Sequence, residues 1–344
     1  MWIDFSSKKI LTDFYYNSCK ENLHWKDSIF SFLKKWYDNE SVLKVSTSGT
    51  TGSPKTIFLK KKHMFERAIK TVEFLKLTKR GVRGLLCLSP DFIASKMFLV
   101  RAIIFKWKVY CVPPSSNPLK NIKEYFDITS MVPMQVFFSL KYLEYVKILL
   151  IGGYSVSDFL EKKLQNISTI CYETYGMTET LGHIALRKIN GSNKSSFYKS
   201  FQDIHLSIDE RSCLGIFYPC DSFIQTNDIV SMISSDEFTC IGRYDNVINS
   251  GGIKIIPELI EKNMNFFIHR RFFISSIPDK ILGEKIVLII EGSPFQFEYP
   301  EFFFNGKNKF YKPKNIFFIP HFIENSLGKL RRKEIMKKLI QKIK

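Results

Sequence analysis

The chain has 344 residues, 45% hydrophobic and 24% charged, with a formal net charge of +18. That length suits about two domains, and no apolar run approaches the roughly 18 residues that a membrane-spanning helix needs. Its seven cysteines (Cys19, Cys87, Cys111, Cys171, Cys213, Cys220, Cys240) are scattered without a CxxC pair, which argues against a zinc ribbon or disulfide framework and leads to an expected cytoplasmic location.

The opening MWIDFSSKKILTDFYY has no basic segment followed by an apolar core, so no secretory signal is read there. The positive charge would suit a polyanion. The lysines, however, are spread along the chain rather than gathered in one tract, so no stable nucleic-acid partner is expected. Part of the charge would still assist a nucleotide or CoA ligand.

From residue 40 to 180, short apolar runs alternate with longer amphipathic ones. VLKVS (42–46), GLLCLS (84–89), KVYCVP (108–113), ITSMVP (128–133), KILLIGG (147–153) and TICYETYG (169–176) read as strands, being β-branched or leucine-rich and bounded by turn residues. Residues 61–77 and 91–107 have helical spacing. This alternation predicts an α/β domain with a mainly parallel sheet and sites at the loops beyond the strand C-termini. Residues 180–242 hold short strand-like pieces and predict a β-rich subdomain. A smaller, mobile α+β domain is expected to follow, with the boundary at Asp245 (1–244 and 245–344).

Residues 45–58 read VSTSGTTGSPKTIF. The P-loop of NTPases needs G-x-x-x-x-G-K-S/T, and this string fails it, because Gly49 and Gly52 are two residues apart and Lys55 follows Ser53-Pro54. Phosphate chemistry still fits. Glycines and small hydroxyl side chains bring N–H and O–H donors close to phosphate oxygens, with a cation beside them.

TSGTTGSPK resembles the nucleotide loop of the acyl-adenylate-forming enzymes, S/T-S-G-S/T-S/T-G-x-P-K, at every position. Further motifs follow in that family's order. Tyr175-Gly176-Met177-Thr178-Glu179 resembles YGxTE. Thr226-Asn227-Asp228 stands where the family has T-G-D; Asn tolerates a left-handed backbone. Gly242-Arg243-Tyr244-Asp245, running on to Gly251-Gly252 and Pro257-Glu258, resembles GRxDxxIxxxGxxIxPxEIE. Asn325-Ser326-Leu327-Gly328-Lys329-Leu330-Arg331-Arg332 resembles the terminal G-K-x-x-R. The resemblance covers about residues 40–335. Family members usually have a longer N-terminal half, so the chain is expected to lack its early part.

The resemblance implies a division of roles. Thr47, Ser48, Gly49, Thr50, Thr51, Gly52 and Lys55 would hold the ATP phosphates. Tyr175 and Gly176 would meet adenine, Thr178 the α-phosphate, and Glu179 a magnesium ion, which prefers hard oxygen ligands. Asp228 would hold the ribose, and Arg243 would be a second ribose or phosphate contact. Lys329 would act in adenylation, Asp245 would be the hinge, and the Gly251-Gly252 backbone would line the CoA channel. ATP, Mg2+ and CoA are the implied cofactor and cosubstrates.

For the acid, SPDFIASKMFLVRA (89–102), MVPMQV (131–136), ILLIGGYSVS (148–157) and QTNDIV (225–230) resemble the o-succinylbenzoate–CoA ligases of menaquinone synthesis. Such an acid has two carboxylates. The one not activated needs a cation or several donors, for which Lys96, Arg101 and Ser89 are the candidates. Lys96 and Arg101 lie five apart on one predicted helix, so only one of them is expected to face the pocket. Gly152, Gly153 and Tyr154 would form the wall between the adenine and acyl pockets. Alternatives are a CoA ligase for another aryl or arylacetic acid, a carrier-protein-loading enzyme, or a basic RNA-binding protein on a decayed ligase fold. A homodimer is compatible with the sequence, which specifies no oligomeric state.

Overall fold

The computed structural model describes residues 1–7, 24–46, 56–218, 222–299, 301–324 and 328–343. The chain divides into two compact units, Met1–Ile204 and His205–Lys344. This division falls ahead of the boundary expected at 244/245. The β-rich stretch after Ile204 goes with the C-terminal part, to which Asn227 is tied through Asp245.

Unit 1 contains, in chain order, β1 (Trp2–Asp4), α1 (His24–Tyr37), β2 (Val42–Ser46), β3 (Thr56–Lys60), α2 (Lys61–Phe74), β4 (Arg83–Leu86), α3 (Ile93–Phe105), β5 (Lys108–Cys111), β6 (Phe126–Met131), α4 (Pro133–Ser139), β7 (Val146–Ile151), α5 (Asp158–Lys163), β8 (Ile170–Met177), β9 (Gly182–Lys188) and β10 (Tyr198–Ser200). Its main sheet runs β1-β5-β4-β6-β7-β8-β9-β10. The central pairs β5–β4, β4–β6, β6–β7 and β7–β8 are parallel. The outer strands β1, β9 and β10 join antiparallel. The parallel strands read as near-continuous apolar runs because helices cover both faces of such a sheet. Leu85, Phe126, Leu149 and Ile151 pack there with Val136, Leu143, Leu160 and Leu164 from the connections. Helix α3 buries Met97, Phe98, Leu99, Val100 and Ala102, a pattern that wraps the helix rather than marking one stripe, as a core helix requires.

One expected strand lies elsewhere. VLKVS is not in the main sheet; it pairs antiparallel with β3, from Val42↔Lys60 to Ser46↔Thr56, in a separate two-stranded sheet. The described strands on either side of residues 47–55 thus pair with each other rather than with the main sheet.

Unit 2 holds β11 (His205–Ile208), β12 (Cys213–Tyr218), β13 (Ser222–Met232), β14 (Glu237–Arg243), β15 (Ile248–Ser250), β16 (Ile253–Ile255), α6 (Pro257–Met264), β17 (Phe272–Asp279), β18 (Gly283–Glu291), β19 (Asn315–Ile319) and α7 (Arg332–Ile343). Strands β11 to β14 form an antiparallel run. A second sheet runs β16-β15-β18-β17, with β19 parallel to β18. Its two faces are covered by apolar clusters, one with Ile260, Met264 and Phe304, the other with Ile335, Met336 and Leu339 of α7. Among the described residues, no helix is long and apolar enough to cross a membrane.

Candidate active site

Two turns at the C-terminal ends of β7 and β8 carry the unit 1 candidates Gly152, Gly153, Tyr154, Thr178 and Glu179. Gly152 follows β7 directly, and a Cβ there would collide with Thr174 Oγ1 on β8. Gly153 has φ +92°, a left-handed conformation that side chains resist. Tyr154 accepts a hydrogen bond from the Met134 N–H at 3.0 Å. The rest of the turn is fixed by Glu173, only 3% exposed, whose Oε1 accepts from the Val156 N–H at 2.7 Å. Arg187 compensates that buried carboxylate, bridging Glu173 at 2.8 Å and Glu161 at 2.7 Å. Burial works against the Arg187 charge, and the two carboxylates outweigh it, so its pKa is raised.

The β8–β9 turn presents Thr178 and Glu179. The ladder shifts register between Tyr175 and Gly176, and a Cβ on Gly176 would meet the backbone of Gly182 and His183. Thr180, fully buried, ties the turn: its Oγ1 accepts from the Met177 N–H at 2.8 Å and donates to the Gly182 carbonyl at 2.6 Å. Glu179 is left exposed and Thr178 partly so, at the strand end where α/β sheets place their ligands. The Tyr175 ring lies 5.8 Å from that of Tyr198. Among the described residues no group of three or more His, Cys, Asp or Glu could hold a metal alone. A magnesium ion at Glu179 would thus depend on substrate phosphates, which is how that ion is ordinarily held.

The three acyl candidates separate clearly. Ser89 donates to exposed Asp91 at 3.2 Å. Lys96 turns back onto its own loop, donating to the Pro90 carbonyl at 2.9 Å and to the Asp91 carbonyl; burial lowers its pKa to about 8, with Asp91 opposing the shift. Arg101 is different. It is 2% exposed, its Nε has no hydrogen-bond partner, and among the described residues no carboxylate pairs with it. Burial lowers its pKa to about 9, which still leaves a charged guanidinium at neutral pH. His183, which none of the motifs marks, stands beside it. Its Nε2 lies 3.0 Å from Thr71 Oγ1, which itself donates to the Arg67 carbonyl. Burial, then Arg101 and Arg67, hold the imidazole well below its ordinary pKa, so it is neutral. The available signal was positional: His183 sits opposite Gly176 in the β8–β9 ladder.

Unit 2 gathers its own candidates. Asp228 on β13 faces Arg243 on β14 in register, with Arg243 Nη1 3.2 Å from Asp228 Oδ1. Arg243 Nη2 donates to Asp245 Oδ2 at 2.8 Å. The Lys329 pKa is lowered by burial first and then by Arg243 and Arg332, against the pull of Asp228. Arg332 anchors this segment through a bidentate pair with Glu261 at 2.7 and 2.8 Å. Gly251 and Gly252 occupy the β15–β16 turn with φ +58° and +82°, and the Gly251 N–H donates to the Leu282 carbonyl at 2.9 Å.

The loop candidates Thr47, Ser48, Gly49, Thr50, Thr51, Gly52 and Lys55 lie outside the described residues, as do Asn325, Ser326 and Leu327. A surface cleft of about 470 Å³ lined by Trp2, Ile3, Asp4, Arg83 and Lys108 contains none of the candidates.

The architecture is that of the adenylate-forming enzymes. An acyl-CoA synthetase (AMP-forming)/AMP-acid ligase II-like protein from Dyadobacter fermentans is 30% identical, with TM-score 0.65, over 98% of this chain and 100% of that one. Residues 35–201 match the AMP-binding enzyme family, and the chain belongs to that family. An o-succinylbenzoate coenzyme A synthetase from Bacillus subtilis, solved with ATP and magnesium, superposes with TM-score 0.71 at 18% identity, over 85% of this chain and 69% of that one; at that identity the likeness concerns the fold. Curated relatives of the chain carry the name 2-succinylbenzoate–CoA ligase. The one from Lactococcus lactis is 23% identical over 55% of this chain and 46% of its own length. The one from Salmonella typhimurium is 22% identical over 78% and 62% respectively. The chain thus spans about half to three-fifths of the length of these relatives.

Proposed function

We propose that the chain is an ATP-dependent, AMP-forming acid–CoA ligase and that its acid is o-succinylbenzoate, converted to its CoA thioester as in menaquinone synthesis. The observation that carries the choice of acid is Arg101: a buried guanidinium without a carboxylate partner among the described residues suits a substrate that brings a second carboxylate. Leaving such a charge uncompensated is costly, and a charge-assisted bond to an incoming carboxylate removes that cost. The neutral His183 imidazole adds a polar neighbour without a competing charge. The names of the curated relatives support the same acid.

In the first half-reaction a carboxylate oxygen of the acid attacks the α-phosphorus of ATP. The bond from that phosphorus to the bridging oxygen breaks, and pyrophosphate leaves. Thr47–Lys55 would cradle the phosphates, Thr178 would donate to the α-phosphate, and Glu179 would hold a magnesium ion that offsets phosphate charge. Tyr175 would stack on adenine, with Gly152, Gly153 and Tyr154 as the wall. Asp228 would accept from the ribose hydroxyls, with Arg243 beside it. Lys329 would stabilise the charge that builds on the attacking carboxylate and the α-phosphate, where a fixed cation is most effective. In the second half-reaction the CoA thiolate attacks the acyl carbonyl, the bond to AMP breaks, and AMP departs. A bend at Asp245 would separate the two steps and bring in the Gly251-Gly252 turn, a hinge change of a general type.

The test is pyrophosphate release over o-succinylbenzoate, benzoate, phenylacetate and fatty acids, with and without CoA. Release selective for o-succinylbenzoate with a CoA thioester product is expected; release with another acid alone overturns the substrate, and no release overturns the class. Lys329→Ala should lower adenylation by about 10²–10³-fold while preformed acyl-adenylate still reacts with CoA. Equal loss in both steps refutes the role of Lys329.

A further inference from the structure

Asn227 stands where the resembled motif has glycine, and its side chain makes two directed bonds. Nδ2 donates to Asp245 Oδ1 at 3.1 Å. Oδ1 accepts from Arg211 Nη1 at 3.2 Å. Neither bond can be inverted, since a carboxylate only accepts and a guanidinium only donates. The two neighbours therefore dictate which way the amide points.

Arg211 is itself held in place. Its Nε and Nη2 reach Asp209 Oδ2 at 2.9 and 2.7 Å, and its guanidinium lies 4.9 Å from the centre of the Tyr244 ring. Asp209 Oδ1 accepts in turn from the N–H groups of Arg211 and Cys213 at 2.9 and 2.8 Å. Three consecutive residues are thus gripped one by one. Asp228 holds Arg243, Arg211 covers Tyr244, and Asn227 holds Asp245. Two of these grips come from β13 and one from the turn between β11 and β12.

We infer that Asn227 and Arg211 form a clasp on the Arg243–Asp245 segment and are positioning residues that set how readily the chain bends there. The inference rests on the hinge role proposed for Asp245. A glycine at 227 offers no amide, so the clasp is a feature of this chain beyond the shared motif. In a reaction of two half-steps separated by a bend, the clasp opens once per turnover. It therefore acts on the step that follows the bend without touching substrate.

Hydrogen exchange on the full, ligand-free chain tests the clasp without any activity. The Val247 N–H, bonded to the Tyr244 carbonyl at 3.1 Å, reports on the segment. Asn227→Gly and Arg211→Ala should each speed exchange across residues 244–247 by about fivefold, the effect of one net hydrogen bond, with β17 and β18 amides unchanged. Asn227→Asp guards against a mere backbone effect of glycine. It keeps the side-chain size and the bond to Arg211 but sets a carboxylate against Asp245, and it should loosen the segment at least as much. Wild-type exchange in N227D, or in both other variants, overturns the clasp whatever the enzyme does. Single-turnover kinetics complete the test: thioester formation should change about fivefold while adenylation stays within about twofold. Equal change in both half-reactions, or in neither, overturns the positioning role. A chain that ligates no acid at all instead defeats the proposed function, and the exchange experiment still judges the clasp.

Discussion

Arg332 in unit 2 is a part-buried guanidinium and Arg101 in unit 1 a fully buried one, and they have opposite surroundings. Arg332 meets Glu261 through two hydrogen bonds, and Glu258 lies 3.8 Å away. Burial disfavours its charge, but the two glutamates prevail and its pKa is raised. Arg101 has burial and no carboxylate among the described residues, and its pKa is lowered to about 9. A matched charge is part of the scaffold; removing one partner strands the other. An unmatched charge holds back stability until an anion arrives. The same logic sorts Arg67, paired bidentately with Asp203 at 3.2 and 2.9 Å, with the scaffold.

The largest expected effect on stability belongs to the matched arginine. Arg332→Ala should destabilise the chain by about 1.5–3 kcal/mol, the range of charge-assisted hydrogen bonds, because part-buried Glu261 then loses both of its bonds to Arg332; chemical denaturation measures this. A loss under about 1 kcal/mol, the range of an exposed pair, would break the comparison at its strong end. Arg101→Leu should do the reverse. Stability should hold or rise, while KM for the dicarboxylic acid increases by about 30- to 1000-fold, the range for truncating a buried charge partner. Monocarboxylic acids should be little affected. Destabilisation on the scale of Arg332→Ala would mean that Arg101 is scaffold after all.

Two pH measurements sharpen the picture around Arg101. The His183 pKa is depressed in the folded chain by burial, Arg101 and Arg67. Below pH 6.5 the unfolded chain takes up a proton that the folded chain refuses, so stability falls as the pH drops. His183→Gln should make that acid limb shallower; an unchanged limb removes His183 from the Arg101 environment. The second measurement concerns Lys96, whose pKa is lowered from 10.5 to about 8. Between those values the unfolded chain binds more protons, so this residue contributes stability that grows with pH across the window. Lys96→Met should abolish that slope, and denaturation midpoints at pH 8 and 10 compare the two. A wild-type slope in the variant contradicts the assignment.

Much of unit 1 was readable along the chain. Strands β4 to β8 are short apolar runs because both faces are covered, and that pattern needs no knowledge of neighbours. VLKVS has a similar composition but a different partner, since apolar pattern alone does not encode which edge a strand joins. The pairs Arg243–Asp228 and Asn227–Asp245 tie the β-rich stretch to the segment that begins near residue 245, and no run of adjacent residues encodes such pairs. Among the candidates, Asp228 and Arg243 could be picked from motif spacing, and their mutual ion pair could not. His183 was missed because a lone histidine in GHIALRK carries no motif.

The motifs are strings of adjacent residues, so the order TSGTTGSPK, YGMTE, TND, GRYD and GK was enough to indicate the adenylate-forming class and the candidate residue types. Compensation of charge is a different kind of fact. Whether Lys96 or Arg101 is left without a carboxylate, whether Arg332 has one, and whether Asn227 reaches Asp245 all depend on side chains brought together across strands and helices. Hydrogen bonds act only over about 3 Å, and exposed charges are screened beyond about 10 Å. Folding alone selects which charges come that close, and so which of them remain available to a substrate.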